Sequence, residues 1–488
     1  MSRSTRLAAA ACVAAVAALL PLRVAAIASP QAGTTADAAL IAKARGIHDR
    51  VIKLDTHNDI NPNNFTDACN YTMRLTNQVN LPKMIEGDMD VSFMIVYVGQ
   101  GPLTADGFDR AYNTAIEHFD AVHRLTEKIA PDKIGLALTP ADVYRLHREG
   151  KRVAVIGVEN AYPIGLDIKR VKEFYDRGGR YMSLAHNRNS QMADSNTGEG
   201  PEGYLYGNGL SPLGREVIKE MNRLGMMIDL SHPAKGSNLE AIRLSKAPVI
   251  ASHSSARAVA DHSRNMDDEQ LMALKKNGGV IQTVAFASYV KVDPKERGPA
   301  IAALNAEFGI STGRGGGGGG GARGGGGGAA GRGAAAGAGR QAGAAPPCPI
   351  EDPNAPPAVG RRGGGAGNTA ALDALSPERR AEYDRKMAEI NAKWPAAGRA
   401  NVQDYVDHID YLVKKIGIDH VGISSDFDGG GGVDGWNSAA EAFNVTLELV
   451  RRGYTEQQIG KIWSGNLLRV WGQVQAIGKQ IQASGTSR

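Results

Sequence analysis

Cysteine is scarce in this chain, with three residues among 488. No CxxC pair occurs, which excludes a metal site built on that motif. Cys12 lies in an alanine-rich N-terminal segment and does not follow a lipobox, so we expect no lipid anchor. Beyond that segment only Cys69 and Cys348 remain. They could form one disulfide in an oxidising compartment, and the sequence leaves their pairing open.

A large excess of charge is also missing. The formal net charge is +5, and three arginines fall within residues 1–28, which contain no acid, so the rest of the chain carries 5 − 3, or about +2. Six further arginines lie in one glycine-rich stretch. The remaining sequence is therefore close to neutral. We expect neither nucleic acid nor an anionic membrane as a partner.

Long apolar runs are absent beyond the N-terminus. Within residues 1–28, two arginines precede an apolar run from Leu7 to Leu22, and small residues follow at 26–28. This pattern predicts a secretory signal peptide, whereas the alternative, a transmembrane anchor, needs a longer run. The C-terminal tail, 476–488, is polar. We therefore expect an exported protein, periplasmic or secreted, without a stable membrane anchor.

Short apolar runs rich in Val and Ile alternate with helical patterns through residues 29–475. Uniformly apolar strands suit a parallel sheet that is covered on both faces. Eight strand–helix units predict an α/β fold of one domain, a TIM-type (β/α)8 barrel. The predicted strands are Val51–His57, Val91–Val98, Val153–Glu159, Arg180–His186, Met226–His232, Pro248–His253, Val280–Phe286 and His420–Asp426. Helices are predicted at Ala38–Asp49, Asp106–Ile129, Pro212–Leu224, Asp267–Lys276, Pro377–Ala392 and Val402–Ile416.

One segment interrupts the barrel pattern between the seventh and eighth predicted strands. Residues 311–368 are mainly Gly, Ala and Arg. Such a composition buries too little apolar surface to offset the entropy of ordering, which predicts a disordered insertion. Its Arg-Gly pattern also resembles nucleic-acid-binding tails, but no aromatic residue is interleaved. We favour a passive or surface-interacting insertion that could reach the mouth of the barrel.

Polar side chains mark the carboxyl ends of most predicted strands. The first strand ends in Asp55-Thr56-His57-Asn58-Asp59, and an extended chain puts His57 and Asp59 on the same side. In a barrel the carboxyl ends of all strands converge on one rim, where catalytic sites are built. The residues at the ends of the later strands are Glu159, His186, His232, His253 and Asp426.

These residue types are typical of a zinc site, since Zn²⁺ takes N and O donors and keeps an open position when catalytic. His57 with Asp59, and His232 with His253, would each supply half of a paired site. Glu159 is the carboxylate placed to lie between the halves. Two cations there would lower the pKa of a bridging water, giving hydroxide near neutral pH, and would polarise a substrate carbonyl.

Other interpretations exist for single residues. Asp426 could move a proton to the leaving amine, whereas Asp428 could simply shape the loop that follows it. Asp55 could cap a turn or support His57. A lone histidine at a strand end is more often a hydrogen-bonded structural group. A buried Glu159, however, needs a cation or another partner.

Several short motifs occur in one order along the chain. They are Asp55–Asp59 (DTHND), Gly157–Asn160 (GVEN), Leu184–Asn187 (LAHN), Ile228–His232 (IDLSH), Ser252–Ala256 (SHSSA), Arg264–Asp268 (RNMDD), His420–Gly429 (HVGISSDFDG) and Gly465–Val470 (GNLLRV). With them the chain resembles the membrane dipeptidase (renal dipeptidase) family of metallopeptidases, a branch of the amidohydrolase-type barrels. The resemblance covers roughly residues 45–475 apart from the glycine-rich insertion.

The resemblance implies two Zn²⁺ ions per chain. One would be held by His57, Asp59 and Glu159, and the other by Glu159, His232 and His253. It implies dipeptides as substrates, often with a D-residue at the C-terminal position, and in some members carbapenem-type β-lactams. Many members are homodimers, so we expect one here.

The resemblance also implies the residues that contact substrate. His186 would contact the substrate and the tetrahedral intermediate, and Asp426 would transfer the proton. Arg264 would bind the substrate carboxylate, a task suited to a forked guanidinium. Tyr289 is matched to a substrate-facing tyrosine. The lipid-anchor signal and disulfide pattern of animal members are missing, and the glycine-rich insertion is not a family feature.

The sequence therefore predicts an exported zinc-dependent dipeptidase. One alternative is another binuclear amidohydrolase, acting on a cyclic amide, lactone, β-lactam or phosphoester, which a missing carboxylate-binding cation would favour. Another is a metal-bearing binding protein that uses the insertion for adhesion, which would require a defective site. Chelation distinguishes an enzyme from the latter, because activity should be lost and then recover with Zn²⁺.

Overall fold

The structure is a computed structural model, and it describes residues 31–310, 348–352 and 372–485. The predicted signal peptide, 1–28, and most of the predicted insertion, 311–368, lie outside the described residues. Within the described ranges, no helix is long and apolar enough to cross a membrane.

Parallel strands form the centre of the fold. Eight of them lie side by side in the order β1-β2-β4-β5-β6-β7-β8-β9, and β3 pairs only with β4 at the margin. The strands are β1 Leu54–Asp59, β2 Val91–Tyr97, β3 Ile134–Leu136, β4 Arg152–Glu159, β5 Gly179–Ser183, β6 Met227–Asp229, β7 Ile250–Ala251, β8 Val280–Val284 and β9 Val421–Ser424.

The sheet curves until its two edges meet. Just beyond β9, Phe427 forms a parallel bridge with Asn58 of β1, and its carbonyl accepts a 2.9 Å hydrogen bond from the Asp59 amide. Every ladder that joins the strands is parallel, so all the carboxyl ends lie on one rim. The predicted (β/α)8 barrel is therefore confirmed.

Helices cover the outside of the barrel. Their ends follow local signals: Ser211 and Asn401 cap helices with their side chains, and Gly225 ends one in a left-handed conformation. The helices are α1 Gln31–Arg50, α2 Leu81–Glu86, α3 Ala105–Arg124, α4 Pro140–Arg148, α5 Lys169–Asp176, α6 Pro212–Leu224, α7 Lys235–Leu244, α8 Asp268–Asn277, α9 Ala287–Val290, α10 Arg297–Glu307, α11 Pro377–Lys393, α12 Val402–Ile416, α13 Ala442–Arg451, α14 Glu456–Gly460 and α15 Asn466–Gly485.

Three details differ from the sequence-based expectation. The strand β3 was not predicted, because three residues are too short a run for a periodic signal. The predicted strands also extend past the observed ones at the rim: β6 ends at Asp229 and β7 at Ala251, before His232 and His253. The chain turns out of the ladder there to direct polar side chains into the mouth. The predicted polar tail begins inside α15, which continues to Gly485.

The pairing of the two cysteines, which the sequence left open, is decided by the structure. Cys69 and Cys348 form a disulfide with a Cα–Cα distance of 5.4 Å, although 279 positions separate them in sequence. The segment around Cys348 thereby lies against the loop between β1 and α2.

Candidate metal centre

The carboxylate of Glu159, at the end of β4, is the centre of the polar cluster on the barrel rim. Four imidazole Nε2 atoms surround it: those of His232 at 2.9 Å, His253 at 3.3 Å, His57 at 3.6 Å and His186 at 3.8 Å. Glu159 is buried, and its pKa lies well below the usual value because the neighbouring imidazoles outweigh the effect of burial. The carboxylate is therefore held in its charged form.

Hydrogen bonds at Nδ1 determine which nitrogen of His57 faces the cluster. Its Nδ1 lies 2.9 Å from the Tyr181 hydroxyl, which itself donates a 3.0 Å hydrogen bond to the carbonyl of Thr56. The hydroxyl proton is used in that bond, so the hydroxyl accepts from Nδ1–H. Nε2 is then the nitrogen that points at the cluster, where it would hold a proton or, with a metal bound, offer its lone pair. Gly157 makes this possible, since a Cβ there would overlap the Tyr181 ring.

His253 is oriented in the same way by a serine–aspartate pair. Ser252 donates a 2.6 Å hydrogen bond to the Asp229 carboxylate, so its oxygen accepts from His253 Nδ1 at 2.7 Å. His232 Nδ1 lies 3.2 Å from the Asn187 side-chain oxygen, which accepts only. Metal-binding histidines are commonly held by such outer hydrogen bonds.

These tautomers provide a test of whether the residues fit metal ions. His232 and His253 bring their Nε2 atoms within 2.9 Å, and each presents a lone pair to the other. Two lone pairs at that distance repel unless a cation or a proton lies beside them. In addition, His57 Nε2 and Asp59 Oδ1 are buried without a hydrogen-bond partner. Imidazole nitrogens and carboxylates are the donors that Zn²⁺ accepts, so the residues fit.

The opposite side of the cluster is made of aspartates. His57, Asp59 and Asp426 offer ligand atoms within 4.8 Å of one another. Burial raises the pKa of Asp426 to about 7, against the attraction of His57. Burial also opposes protonation of His57, but Glu159 and the two aspartates outweigh it and raise its pKa to about 10. Cations bound here would relieve the carboxylates of this mutual repulsion.

Unusual backbone conformations accompany the site. Among the described non-glycine residues, seven have positive φ, including Asn160 at 78°, His232 at 81°, Asp426 at 59° and Asp428 at 63°. These four lie on the rim, in the turns that follow β4, β6 and β9. Asn, Asp and His tolerate this region better than other residues, and such strain concentrates at functional sites. The turns re-aim each side chain as its strand ends.

A buried cation lies beside the histidines. Arg264 is 4% exposed, its Nη2 donates to the carbonyl of His253 at 3.2 Å, and its Nε has no hydrogen-bond partner. Within the described ranges no carboxylate forms an ion pair with it. Its guanidinium carbon lies 5.4 Å from the centroid of the Tyr289 ring. An uncompensated buried charge is costly, so this position is suited to an anionic ligand.

Two further side chains complete this region. Tyr289 is buried, and burial is the main reason that its pKa rises to about 12. The centroid of its ring lies 4.5 Å from that of His262, with the two rings tilted by 36°. His262 Nδ1 accepts a 3.1 Å hydrogen bond from the Arg264 amide. His186 contacts the ring of Tyr97 at 4.9 Å and that of His232 at 4.1 Å. Its pKa is lowered by burial.

The structure brings the predicted site residues together. All five predicted metal ligands, with His186 and Asp426, fall into three overlapping groups of potential ligands: His57, Glu159 and His253; Glu159, His186 and His232; His57, Asp59 and Asp426. The predicted division of the ligands between two ions stays a prediction. Asp55 supports the site, because its carboxylate accepts from the side chain of Asn58 at 2.8 Å and the amide of Ser425 at 2.9 Å.

Sequence reasoning missed the residues that hold the imidazoles. These are Tyr181, Asn187, Asp229 and Ser252; His262, which accepts a hydrogen bond from the Arg264 amide, was missed as well. Asp229, Ser252 and Asn187 lie inside the quoted motifs, so their position beside a predicted ligand was an available signal. Tyr181 had no such signal, because it occupies an ordinary position within β5 and lies in none of the quoted motifs.

Comparison with known proteins identifies related chains. A model of the membrane dipeptidase family (Peptidase family M19) matches residues 41–485. Dipeptidase tcpJ from Claviceps purpurea (strain 20.1) is 26% identical over 412 residues, which are 83% of this chain and 71% of that protein. Dipeptidase aclJ from Aspergillus oryzae is 26% identical over 423 residues, 86% of this chain and 74% of that protein.

Solved structures show the same fold. The probable dipeptidase PvdM from Pseudomonas aeruginosa superposes with a TM-score of 0.67 and 29% identity, over 90% of this chain and 99% of that one. A metallo peptidase from Rhodobacter sphaeroides, liganded with a phosphinate mimic of the dipeptide L-Ala-D-Ala, gives 0.58 and 20% identity, over 87% and 99%.

The fold and the donor set together define a metal-dependent hydrolase of the barrel type. Within that class, this chain belongs to the membrane dipeptidase family and is a metallo-dipeptidase. The resemblance drawn from the sequence motifs is confirmed.

Proposed function

We propose that this enzyme hydrolyses dipeptides at two zinc ions and recognises the substrate by its free C-terminal carboxylate. The observation that carries the proposal is Arg264, a buried guanidinium beside His253 with no carboxylate partner among the described residues. A dipeptide is short enough for its carboxylate to reach this cation while its peptide bond lies at the histidine cluster. A bidentate contact between guanidinium and carboxylate would compensate both charges.

His57, Asp59 and Glu159 would hold one ion, and Glu159, His232 and His253 the other. When bound, the pair would supply a hydroxide near neutral pH and polarise the scissile carbonyl. The Nδ1 hydrogen bonds of His57 and His253 support this assignment, since they leave both Nε2 lone pairs free for metal.

Asp426 is the residue we propose for proton transfer. It is buried, its pKa is raised to about 7 mainly by burial, and a group with a pKa near the working pH exchanges a proton readily. It would accept a proton and deliver it to the leaving amine. His186 lies across the cluster, 3.8 Å from Glu159, where it would contact the substrate and stabilise the tetrahedral intermediate. Tyr289 would border the carboxylate site.

We further propose that the enzyme is exported after removal of residues 1–28, forms a homodimer, and accepts a D-residue at the C-terminal position. The phosphinate mimic of L-Ala-D-Ala bound by the Rhodobacter sphaeroides structure supports the last point.

The test compares zinc-loaded enzyme on L-Ala-L-Ala, L-Ala-D-Ala, Gly-D-Ala and the C-terminal amide of L-Ala-D-Ala. We expect chelator-sensitive turnover of the free acids and a loss of about 100-fold in kcat/KM for the amide, since an unpaired buried charge costs a few kcal/mol. Asp426→Asn should lower kcat, and Arg264→Lys should raise KM and reduce the preference for acid over amide. Equal rates on acid and amide would overturn carboxylate recognition. Turnover of a cyclic amide or lactone, but of no dipeptide, would overturn the dipeptide assignment.

A further inference from the structure

The short segment Cys348–Asp352, here called the strap, lies across the loop between β1 and α2. Cys348 is bonded to Cys69 in that loop. Two residues on, Ile350 forms an antiparallel bridge with Leu75. The strap is therefore a covalently attached strand beside a loop that is more than 270 residues away in sequence.

Backbone and charge contacts strengthen this attachment. The Thr76 amide donates to the Pro349 carbonyl at 2.7 Å, and the Glu351 amide donates to the Arg74 carbonyl at 2.9 Å. The Glu351 carboxylate lies 2.8 Å from the ammonium of Lys83 and 3.5 Å from the guanidinium of Arg74. The two backbone bonds flank the bridge between Leu75 and Ile350, so the strap pairs with residues 74–76.

Lys83 carries the connection further along the loop. Its buried ammonium, besides pairing with Glu351, donates to the carbonyls of Leu75 at 2.9 Å and Asn77 at 2.7 Å. Two of the three protons of the ammonium are donated to these carbonyls, and the Glu351 carboxylate lies beside it as an ion pair. The strap carboxylate therefore compensates the charge of an ammonium that binds two carbonyls of the loop.

Residues 77–79 in turn hold Asp428. The Gln78 amide donates to the Asp428 carboxylate at 2.7 Å, and the Val79 amide and the Asn77 side chain do so at 3.3 Å. The Asp428 amide donates back to the Gln78 side chain at 2.7 Å. Asp428 thus does more than shape its own turn, because it joins the rim after β9 to the loop after β1.

Asp428 is followed by a glycine that lies against two carboxylates of the metal centre. Gly429 lies so close to the carboxylates of Asp59 and Asp426 that a Cβ there would overlap both. If the Asp428–Gly429 turn moved towards these carboxylates, it would displace them. We propose that the disulfide strap is a positioning element of the active site, which fixes Asp59 and Asp426 through residues 74–79 and Asp428. This inference rests on the proposed metal site and goes beyond it.

The experiment uses the mature enzyme with Cys69→Ser/Cys348→Ser, and in parallel the folded wild type treated with a water-soluble phosphine. The phosphine is oxidised to its oxide with the oxygen of one water, and each sulfur takes one proton of that water and becomes a thiol. Because the reagent is added to folded protein, no refolding step is needed. Three readouts are followed: backbone hydrogen exchange of residues 74–80, zinc affinity by chelator competition, and kcat separately from KM.

With the strap released, we expect exchange at Thr76, Gln78 and Val79 to accelerate by about 10-fold or more, as for a segment that opens locally. Zinc affinity and kcat should each fall by about 10-fold, the lower end for lost outer support of a metal site. KM should change little, because Arg264 lies on another part of the rim. Glu351→Gln should give a smaller change of the same sign. Glu456→Gln removes a surface ion pair with Arg50 and serves as the matched control.

A lower melting temperature with unchanged exchange in 74–80, unchanged zinc affinity and unchanged kcat would overturn the proposal, because the disulfide would then be only structural. The exchange and zinc readouts need no dipeptide turnover, so they test the strap even if the proposed substrate is wrong.

Discussion

The two sides of the metal centre are supported in different ways. On the histidine side, His232 and His253 follow β6 and β7, and His253 is oriented by Asp229, the last residue of β6, and Ser252, the first residue after β7. On the aspartate side, Asp59 and Asp426 depend on a turn that is held from outside the barrel, by residues 77–79. The histidine side is thus held by groups at the ends of β6 and β7, whereas the aspartate side, where Asp59 ends β1 and Asp426 follows β9, is held in addition by a separate loop.

The two kinds of support have different consequences for the rigidity of the site. Side chains on or next to strands are held in place by the hydrogen-bonded ladder, whereas side chains on loops need additional contacts to fix them. The aspartate side receives these supports from the Asp428 carboxylate, from Lys83 and from a disulfide. Loops that move in function come from the less stable end of a structure, so the support also limits how far this side can open.

The largest expected effect comes from the residue that both sides share. Glu159→Gln removes the charge that four imidazoles face, so both sides should lose metal together. We expect kcat/KM to fall by more than about 100-fold, since even outer partners of a metal site are worth 10–100-fold. Zinc per chain is measured by atomic emission, with Glu382→Gln on α11 as control. Full zinc content in Glu159→Gln would contradict a shared carboxylate.

The next largest effect is expected for the residues that accept hydrogen bonds from the Nδ1 atoms of the histidines. Ser252→Ala on the histidine side and Tyr181→Phe under His57 each remove one acceptor, so the imidazole can change tautomer and protonate Nε2. Each variant should weaken zinc by about 10–100-fold. Competition with a chromophoric chelator measures the affinity. If Ser252→Ala binds zinc as tightly as wild type, the tautomer argument fails for His253.

A smaller and one-sided effect is expected for Asp428→Asn. The amide nitrogen it introduces cannot accept hydrogen bonds from both loop amides, which leaves one donor unsatisfied at a cost of about 1–3 kcal/mol. Urea unfolding measures this loss, and kcat should fall by about 10-fold. Asn77→Ala, which removes only the 3.3 Å contact, is the milder control. An equal loss in both variants would mean that the loop amides do not hold Asp428.

The smallest effect concerns the unmodified protein. In zinc-loaded enzyme, amides at 76–79 should exchange about 10-fold faster than those of Met227–Asp229, because the latter lie in the sheet. Hydrogen exchange read by mass spectrometry compares the two segments, and removing zinc should widen the gap. If both segments are equally protected with and without zinc, the comparison between loop support and strand support is wrong.

Much of the fold and of the candidate site could be predicted from the sequence. The periodic apolar runs predicted the barrel, and the polar residues at their ends predicted which side chains would meet, because all parallel strands end on one rim. The helical patterns gave the bounds of α6 and α12 to the residue. The motifs placed the chain in its family. The assignment of ligands to two ions and the roles of His186, Arg264, Tyr289 and Asp426 are still predictions.

Only the tertiary structure decided how those side chains are held. The pairing of Cys69 with Cys348, the Tyr181 hydroxyl under His57, and the docking of residues 77–79 on Asp428 join segments between 124 and 351 positions apart. No local pattern marks such contacts, since each depends on the curvature of the closed sheet and on where a loop lands. The sequence specified the chemistry because residue type determines donor and charge. The structure specified the tautomers and the supports because these depend on neighbours in space.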